Sequence, residues 1–261
     1  MLVETYSHLY VAKLERRGAL SDAGRAALLA LPIRRQTFAA NRDIVREGDR
    51  PDHCCYVETG LVSRYKILRN GGRQIVSFHI PGDMIDLPSA LVIVADHSIR
   101  THTQTSILSI SHGDVLRLAA EYPDVGRAFW FDTLCDAAIF REWTVNVGRR
   151  DARERTAHLL LEFAYRYKII GALDKDAFEL PISQLDLSDA LGMTAVHLNR
   201  TLQWLRKEGY IRTHSGKMSI ENWPEMMRLS GFTPAYLHPE GPRGSAATPR
   251  DALAPENRPR V

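Results

Sequence analysis

From Gln184 to Lys207 apolar residues recur every three or four positions, and the recurrence restarts after Gly192. Leu187, Ala190 and Leu191 form one stripe, and Leu198, Leu202 and Leu205 form a second. At about 100° per residue each stripe is the buried face of a helix. Ser183 with Asp186 three residues on is a capping-box-like start, Thr194 is a good N-cap for the second helix, and Gly209 falls just past its end. Gly192 supplies the permissive backbone of a tight turn. The pattern predicts two short helices joined by a glycine-bearing turn. From Tyr210 to Glu221 the alternation around Ser215-Gly216-Lys217 predicts a β-hairpin.

Elsewhere the period changes. Residues 6–31 carry Leu9, Val11, Leu14, Leu20, Ala23, Ala27 and Leu28, which fits two short helices broken at Gly18 and acting as a lid. From Arg34 to His112 short alternating segments are punctuated by Glu47-Gly48-Asp49, Thr59-Gly60, Asn70-Gly71-Gly72 and Pro81-Gly82-Asp83. Strands at that spacing predict a small antiparallel barrel or sandwich, with a hairpin at Asn70-Gly71. From Pro123 to Val147 the helical period returns with two apolar stripes: Phe131, Leu134, Ala138 and Val145, and beside it Trp130, Ala137, Phe140 and Val147. A helix this apolar needs two partners, the barrel of its own subunit and the same helix of a second subunit, or else burial wholly within one chain. Gly148-Arg149-Arg150-Asp151 reads as a hinge, Ala152 to Tyr167 as a further helix, Gly171 to Asp176 as a loop and Phe178–Leu180 as a short strand. The last residues, with Pro234, Pro239, Pro242, Pro249, Pro255 and Pro259, read as a disordered tail.

The face opposite Leu198, Leu202 and Leu205 carries Val196, Asn199, Arg200, Gln203 and Lys207, with His197 at its margin. Asn can bond adenine bidentately, Arg can do so to guanine, and an apolar group can cover a thymine methyl. Between Ala195 and Lys217 stand Arg200, Arg206, Lys207, Arg212 and Lys217 against Glu208 alone, whereas the whole chain carries a net charge of only +3. Phosphate attraction is therefore local, and Lys217 at the hairpin could touch the backbone. Cap, turn, face and hairpin together predict a winged helix-turn-helix with Thr194, Val196, His197, Asn199, Arg200, Gln203, Lys207 and Lys217 on its DNA-facing side. The alternative is an ordinary solvated helix pair.

The 44% hydrophobic content suffices for a core in each of one to two domains. Three cysteines, Cys54, Cys55 and Cys135, make neither a disulfide framework nor a CxxC pair, which fits a reducing cytosol. The adjacent pair reads as packing in or beside a strand, with redox sensing the alternative. No apolar h-region opens the chain, and Ala90 to Ala95 is far too short to span a bilayer. A cytoplasmic protein is expected.

These residues carry a resemblance. Over roughly 34–221 the chain is similar to bacterial Crp/Fnr-type transcription regulators. REGDRPDHCCYVETGLVSRYKILRNGGRQIVSFHIPGDMIDL resembles the family's cyclic-nucleotide-binding-like β-roll, and LPISQLDLSDALGMTAVHLNRTLQWLRKEGYIR its winged helix-turn-helix. The resemblance implies an α+β fold: a jelly-roll-like antiparallel sensor domain over 1–120, a dimerisation helix and hinge over 121–150, a winged helix-turn-helix over 151–227 and a disordered tail over 228–261. It implies a homodimer, with Phe131, Leu134, Ala138 and Val145 between subunits, whose recognition helices enter successive major grooves, and contacts to RNA polymerase. Arg200 stands at the position of the family's guanine-reading arginine. Val196 stands where many members have an acidic residue, so a different half-site is expected.

Members that bind cyclic nucleotide have a Gly-Glu-Leu segment for ribose and a later Arg-Ser/Thr-Ala segment for phosphate. Here the first becomes Ile85-Asp86-Leu87-Pro88 and the second is missing between Ala90 and Thr105, so no response to cyclic nucleotide is expected. The three cysteines cannot supply the four thiolates of an iron–sulfur cluster. No metal or cofactor is expected. The alternatives are a metal or haem held by His53, His79, His97, His102 or His112, and a cupin-like metalloenzyme, although His102-Thr103-Gln104 lacks that group's His-x-His and following Glu. An effector of another kind, or none, remains open.

Overall fold

The computed structural model describes residues 10–16, 18–173, 177–214 and 216–241. After a helical segment over 10–16 come α1 (Asp22–Leu29) and then β1 (Arg34–Phe38), β2 (Asp43–Val45), β3 (His53–Thr59), β4 (Val62–Ile67), β5 (Arg73–His79), β6 (Ser98–Thr101) and β7 (Thr105–Ser111). The seven strands make two antiparallel sheets, ordered β1-β7-β3 and β2-β6-β4-β5. Alternation aims Val45, Cys55, Val57, Val62, Ile99 and Ile107 into the space between them, where Ile85 of the β5–β6 connection joins them. The hairpin expected at Asn70-Gly71 joins β4 to β5, with Ile67 opposite Arg73 and Gly71 at φ +83°. Cys54 and Cys55 lie buried in β3, and burial pushes the Cys54 thiol up to about 12, the state of a packing residue and not of a nucleophile.

The expected lid is present: Tyr10, Val11, Leu14 and Leu28 pack with Cys54, Tyr56, Leu108 and Ile110. Leu9, which belongs to the same expectation, lies outside the described residues. After α2 (His112–Glu121), Pro123 opens a 27-residue helix, α3 (Pro123–Arg149). The expected hinge proves to be a clamped joint. Asp151 caps α4 (Ala152–Ile169) in a full capping box with Glu154, and Arg150 donates to Ser230 O at 3.0 Å, Asn146 Oδ1 at 2.7 Å and Glu142 Oε1 at 2.6 Å.

Next come β8 (Ala177–Glu179), α5 (Gln184–Leu191), α6 (Ala195–Lys207), β9 (Ile211–His214), β10 (Lys217–Ile220) and α7 (Trp223–Ser230). One core runs from the roll into this half: Leu61, Ile75 and Phe78 join Ile139 and Trp143 of α3, Leu160 and Phe163 of α4, and Leu187, Leu198 and Leu205. The tail expected to be disordered from 228 is ordered as far as it is described. Phe232 and Leu237 are buried, and Tyr236 donates to Glu162 Oε2 at 2.7 Å. Two large apolar anchors outweigh the flanking prolines. Residues 242–261 lie outside the described residues.

Candidate nucleic-acid interface

Local chemistry builds α5 and α6 as expected. Ser183 Oγ accepts the Asp186 N–H at 3.0 Å and Thr194 Oγ1 accepts that of His197 at 3.2 Å, so each helix has its first-turn donors capped. Between them Gly192 takes φ +59°, a left-handed conformation that closes α5. Leu198, Leu202 and Leu205 are buried and bind α6 to the core. Burying three leucines stabilises this packing by very roughly 5–8 kcal/mol before entropy is counted.

That packing turns the other side outward. Thr194, Val196, His197, Asn199, Arg200, Gln203 and Lys207 are all exposed, with Val196 at 64%. Lys217 is half-buried and holds a partner within the chain. The short strand expected at Phe178–Leu180 joins the wing: β8 pairs with β10, and β10 with β9, so Lys217 faces both Glu179 and His214 in register. Three residues of strand carry too little periodicity to predict that pairing. Ser215, at the wing's tip, lies outside the described residues.

A second group reaches α5 from the β-roll. Arg73 of β5 donates to Asp189 Oδ2 at 2.7 Å and Asp186 Oδ1 at 2.5 Å, and Gln74 donates to Ala190 O. His102 Nδ1 lies 3.5 Å from Asp186 while its Nε2 pairs with Ser63. Burial alone would raise the pKa of Asp186, but Ser183, His102 and Arg73 hold it below the ordinary carboxylate value.

Of the four residues expected between subunits, two face outward. Leu134 is 47% and Val145 44% exposed, whereas Ala138 is 5% exposed in its own chain's core and Phe131 meets the His238 ring edge-on at 5.9 Å. The open face of α3 instead combines Leu134 and Val145 with Trp130, 68% exposed. Periodicity found both stripes but could not tell which one meets the roll.

Between the roll and α3 lies a cavity of about 450 Å³, bordered by Arg64, Asp86, His97, Ile99, Ala137 and Phe140. Arg64 pairs with Asp136 at 2.5 Å and stacks over Phe140. Asp86 Oδ1 accepts the Cys55 N–H at 2.7 Å, and burial pushes its pKa up to about 6. Arg64 Nε, Asp86 Oδ2 and His97 Nε2 are buried without a hydrogen-bond partner. Arg100, the one arginine between 90 and 105, is not among the lining residues and stands 3.8 Å from Asp43.

These geometries agree with comparisons against known proteins. A cyclic nucleotide-binding domain model matches residues 35–122 and a Crp-like helix-turn-helix domain model matches 154–229, in the order the fold displays. The chain belongs to the Crp/Fnr family of regulators. Among its relatives, the transcriptional activator protein FnrL of Cereibacter sphaeroides is 25% identical over 179 residues, 67% of this chain and 71% of that protein. The nitrogen fixation regulation protein FixK of Rhizobium meliloti is 27% identical over 194 residues, 74% of this chain and 84% of that one. The structure of FixK2 from Bradyrhizobium japonicum superposes with a TM-score of 0.71 at 25% identity, covering 78% of this chain and all of that one. Family membership makes this chain a transcription regulator with a helix-turn-helix DNA-binding domain. Among the described residues no helix is long and apolar enough to cross a membrane.

Proposed function

We propose that this Crp/Fnr regulator works as a cytoplasmic homodimer that reads a near-palindromic DNA site with α6 and contacts RNA polymerase from it. The observation that carries the reading is the exposed row Val196, Asn199 and Arg200 on a capped helix whose opposite face is anchored by three buried leucines. Two such helices related by a two-fold axis match half-sites one helical turn apart, about 34 Å. The open apolar face of α3, centred on Trp130 and Leu134, supplies the surface for a second copy.

Arg200 is the guanine reader in this account, and Val196 presents an apolar group where a thymine methyl would sit. Replacing Arg200 by Ala is expected to cost about 1–3 kcal/mol on the preferred duplex and almost nothing on a scrambled one. Competition binding against both duplexes measures this, and equal losses on the two would contradict the assignment.

The cavity beside α3 supports a narrower reading of the sensor. Its lining offers a carboxylate already bonded to Cys55 N–H and a guanidinium already paired with Asp136, a set ill-suited to a ribose and a phosphate. Cyclic AMP is therefore expected to leave the melting temperature unchanged, and a dose-dependent rise would contradict this reading.

A further inference from the structure

An open groove beside the recognition helix holds a cation that the base-reading row does not include. Arg153 is the second residue of α4 and is exposed, and its Cζ lies 4.1 Å from the ring centroid of Trp204. Trp204 stands one turn beyond Arg200 on α6 and leans in turn on Tyr210, with ring centroids 5.6 Å apart. Thr194, Val196, His197 and Arg200 line the other side of the same groove.

The acidic groups nearest Arg153 are occupied elsewhere. Asp151 accepts the N–H groups of Arg153 and Glu154 at 2.7 and 2.9 Å, and Glu154 returns a bond to the Asp151 N–H at 2.8 Å. Among the described residues the Arg153 guanidinium forms no ion pair, and the Trp204 ring is its one recorded contact. Stacking an arginine on indole is favourable even at an exposed site. It also restrains the guanidinium of a residue that stays exposed, which removes part of the ordering cost of binding an anion.

We propose that Arg153, positioned by Trp204, is a phosphate clamp on the DNA backbone that flanks the half-site. The inference rests on the DNA-binding reading above. Arg153 projects from α4 and not from the helix that enters the groove, a placement that suits backbone contact and not base reading. Trp204 is a positioning residue: it touches the guanidinium and sets where its donors point.

The test is binding of the full-length protein to its preferred duplex and to a scrambled duplex over a series of salt concentrations. Arg153→Ala should weaken both duplexes by the same factor and lower the slope of log K against log salt by about 0.9 per protomer. Trp204→Phe, which keeps an aromatic face, should retain the wild-type slope, and Trp204→Leu should lose part of it, with melting temperatures checking that each variant is folded. An unchanged slope and affinity for Arg153→Ala overturns the proposal, and so does a loss confined to the preferred duplex, which would assign Arg153 to base reading. If the wild-type protein fails to discriminate the two duplexes, the DNA-binding reading itself falls. A discriminating wild type with an unaltered Arg153→Ala slope removes only the clamp.

Discussion

Asp186 accepts from Ser183 within its own helix cap, pairs with Arg73 113 residues earlier, and lies 3.5 Å from His102. The cap was legible in the sequence, because Ser183 and Asp186 stand three residues apart just before an apolar helical stripe, a signature of a helix start. The two long-range partners were not, since an ion pair across a hundred residues leaves no periodic trace. The same holds for Arg153 on Trp204 and for Arg64 on Asp136. The outward-facing row on α6 was readable because its residues share a helix with the leucines that orient them.

Asp86 gives a prediction at this scale. Burial raises its folded pKa from 3.8 to about 6, so between those values the folded state binds the proton that the unfolded state has lost. Its contribution to stability therefore falls as pH rises through that window and stays reduced above it. Asp86→Asn keeps an acceptor for the Cys55 N–H and removes the titration. The variant and the wild type should unfold alike near pH 4, and at pH 8 the variant should be more stable by up to about 3 kcal/mol, read from urea midpoints. Identical stabilities at both pH values would contradict the buried, unsatisfied carboxylate.

At the scale of elements, long helices with a sustained apolar period were predicted to within two residues at most ends, as in α3, α4 and α6. Short pieces fared unevenly: β8 falls within one residue of the strand expected at Phe178–Leu180, whereas the three-residue β2 and the 3-10 turn Leu87–Ala90, where only the Pro88 signal stood, were not resolved by pattern. The ordered segment around Phe232 and Leu237 was hidden by its prolines, because composition averages over the few residues that anchor it.

The helix α3 shows what periodicity leaves undecided. Both stripes are real, and the fold spends Ala138 and Phe131 on its own chain while leaving Trp130, Leu134 and Val145 open. If a second copy covers that face, a charge at Leu134 is buried twice by the two-fold symmetry. Leu134→Glu should then weaken self-association on the order of 100-fold or more, seen as a monomer in sedimentation velocity at micromolar concentration. A dimer of undiminished stability would place the interface elsewhere.

Over the whole molecule, the β-roll grips the DNA-binding half at two places. Arg73 and Gln74 hold α5, and Asp83, on the turn after β5, pairs with Arg166 of α4 at 2.5 Å and with Lys13 at 3.1 Å. Burial opposes the charge on Asp83, and those two cations hold its pKa well below the usual value. Arg166 also donates to Phe78 O, the last strand before that turn. A cavity lined by β4, β5, β6 and α3 thus shares a strand with Arg73 and Gln74, which hold α5. The two domains and their order were legible from the change of period at residue 123. Their mutual grip became visible only in three dimensions, because it is made of scattered charges.

The central claim is that two copies of α6 read one symmetric site. Selection of sites from a random duplex library by the purified protein, without added ligand, tests it most directly. The account predicts an enriched near-palindrome whose half-sites lie one helical turn apart, with a guanine at the position lost in Arg200→Ala. An enriched motif without two-fold symmetry, or no enriched motif either alone or with cell extract added, would contradict it.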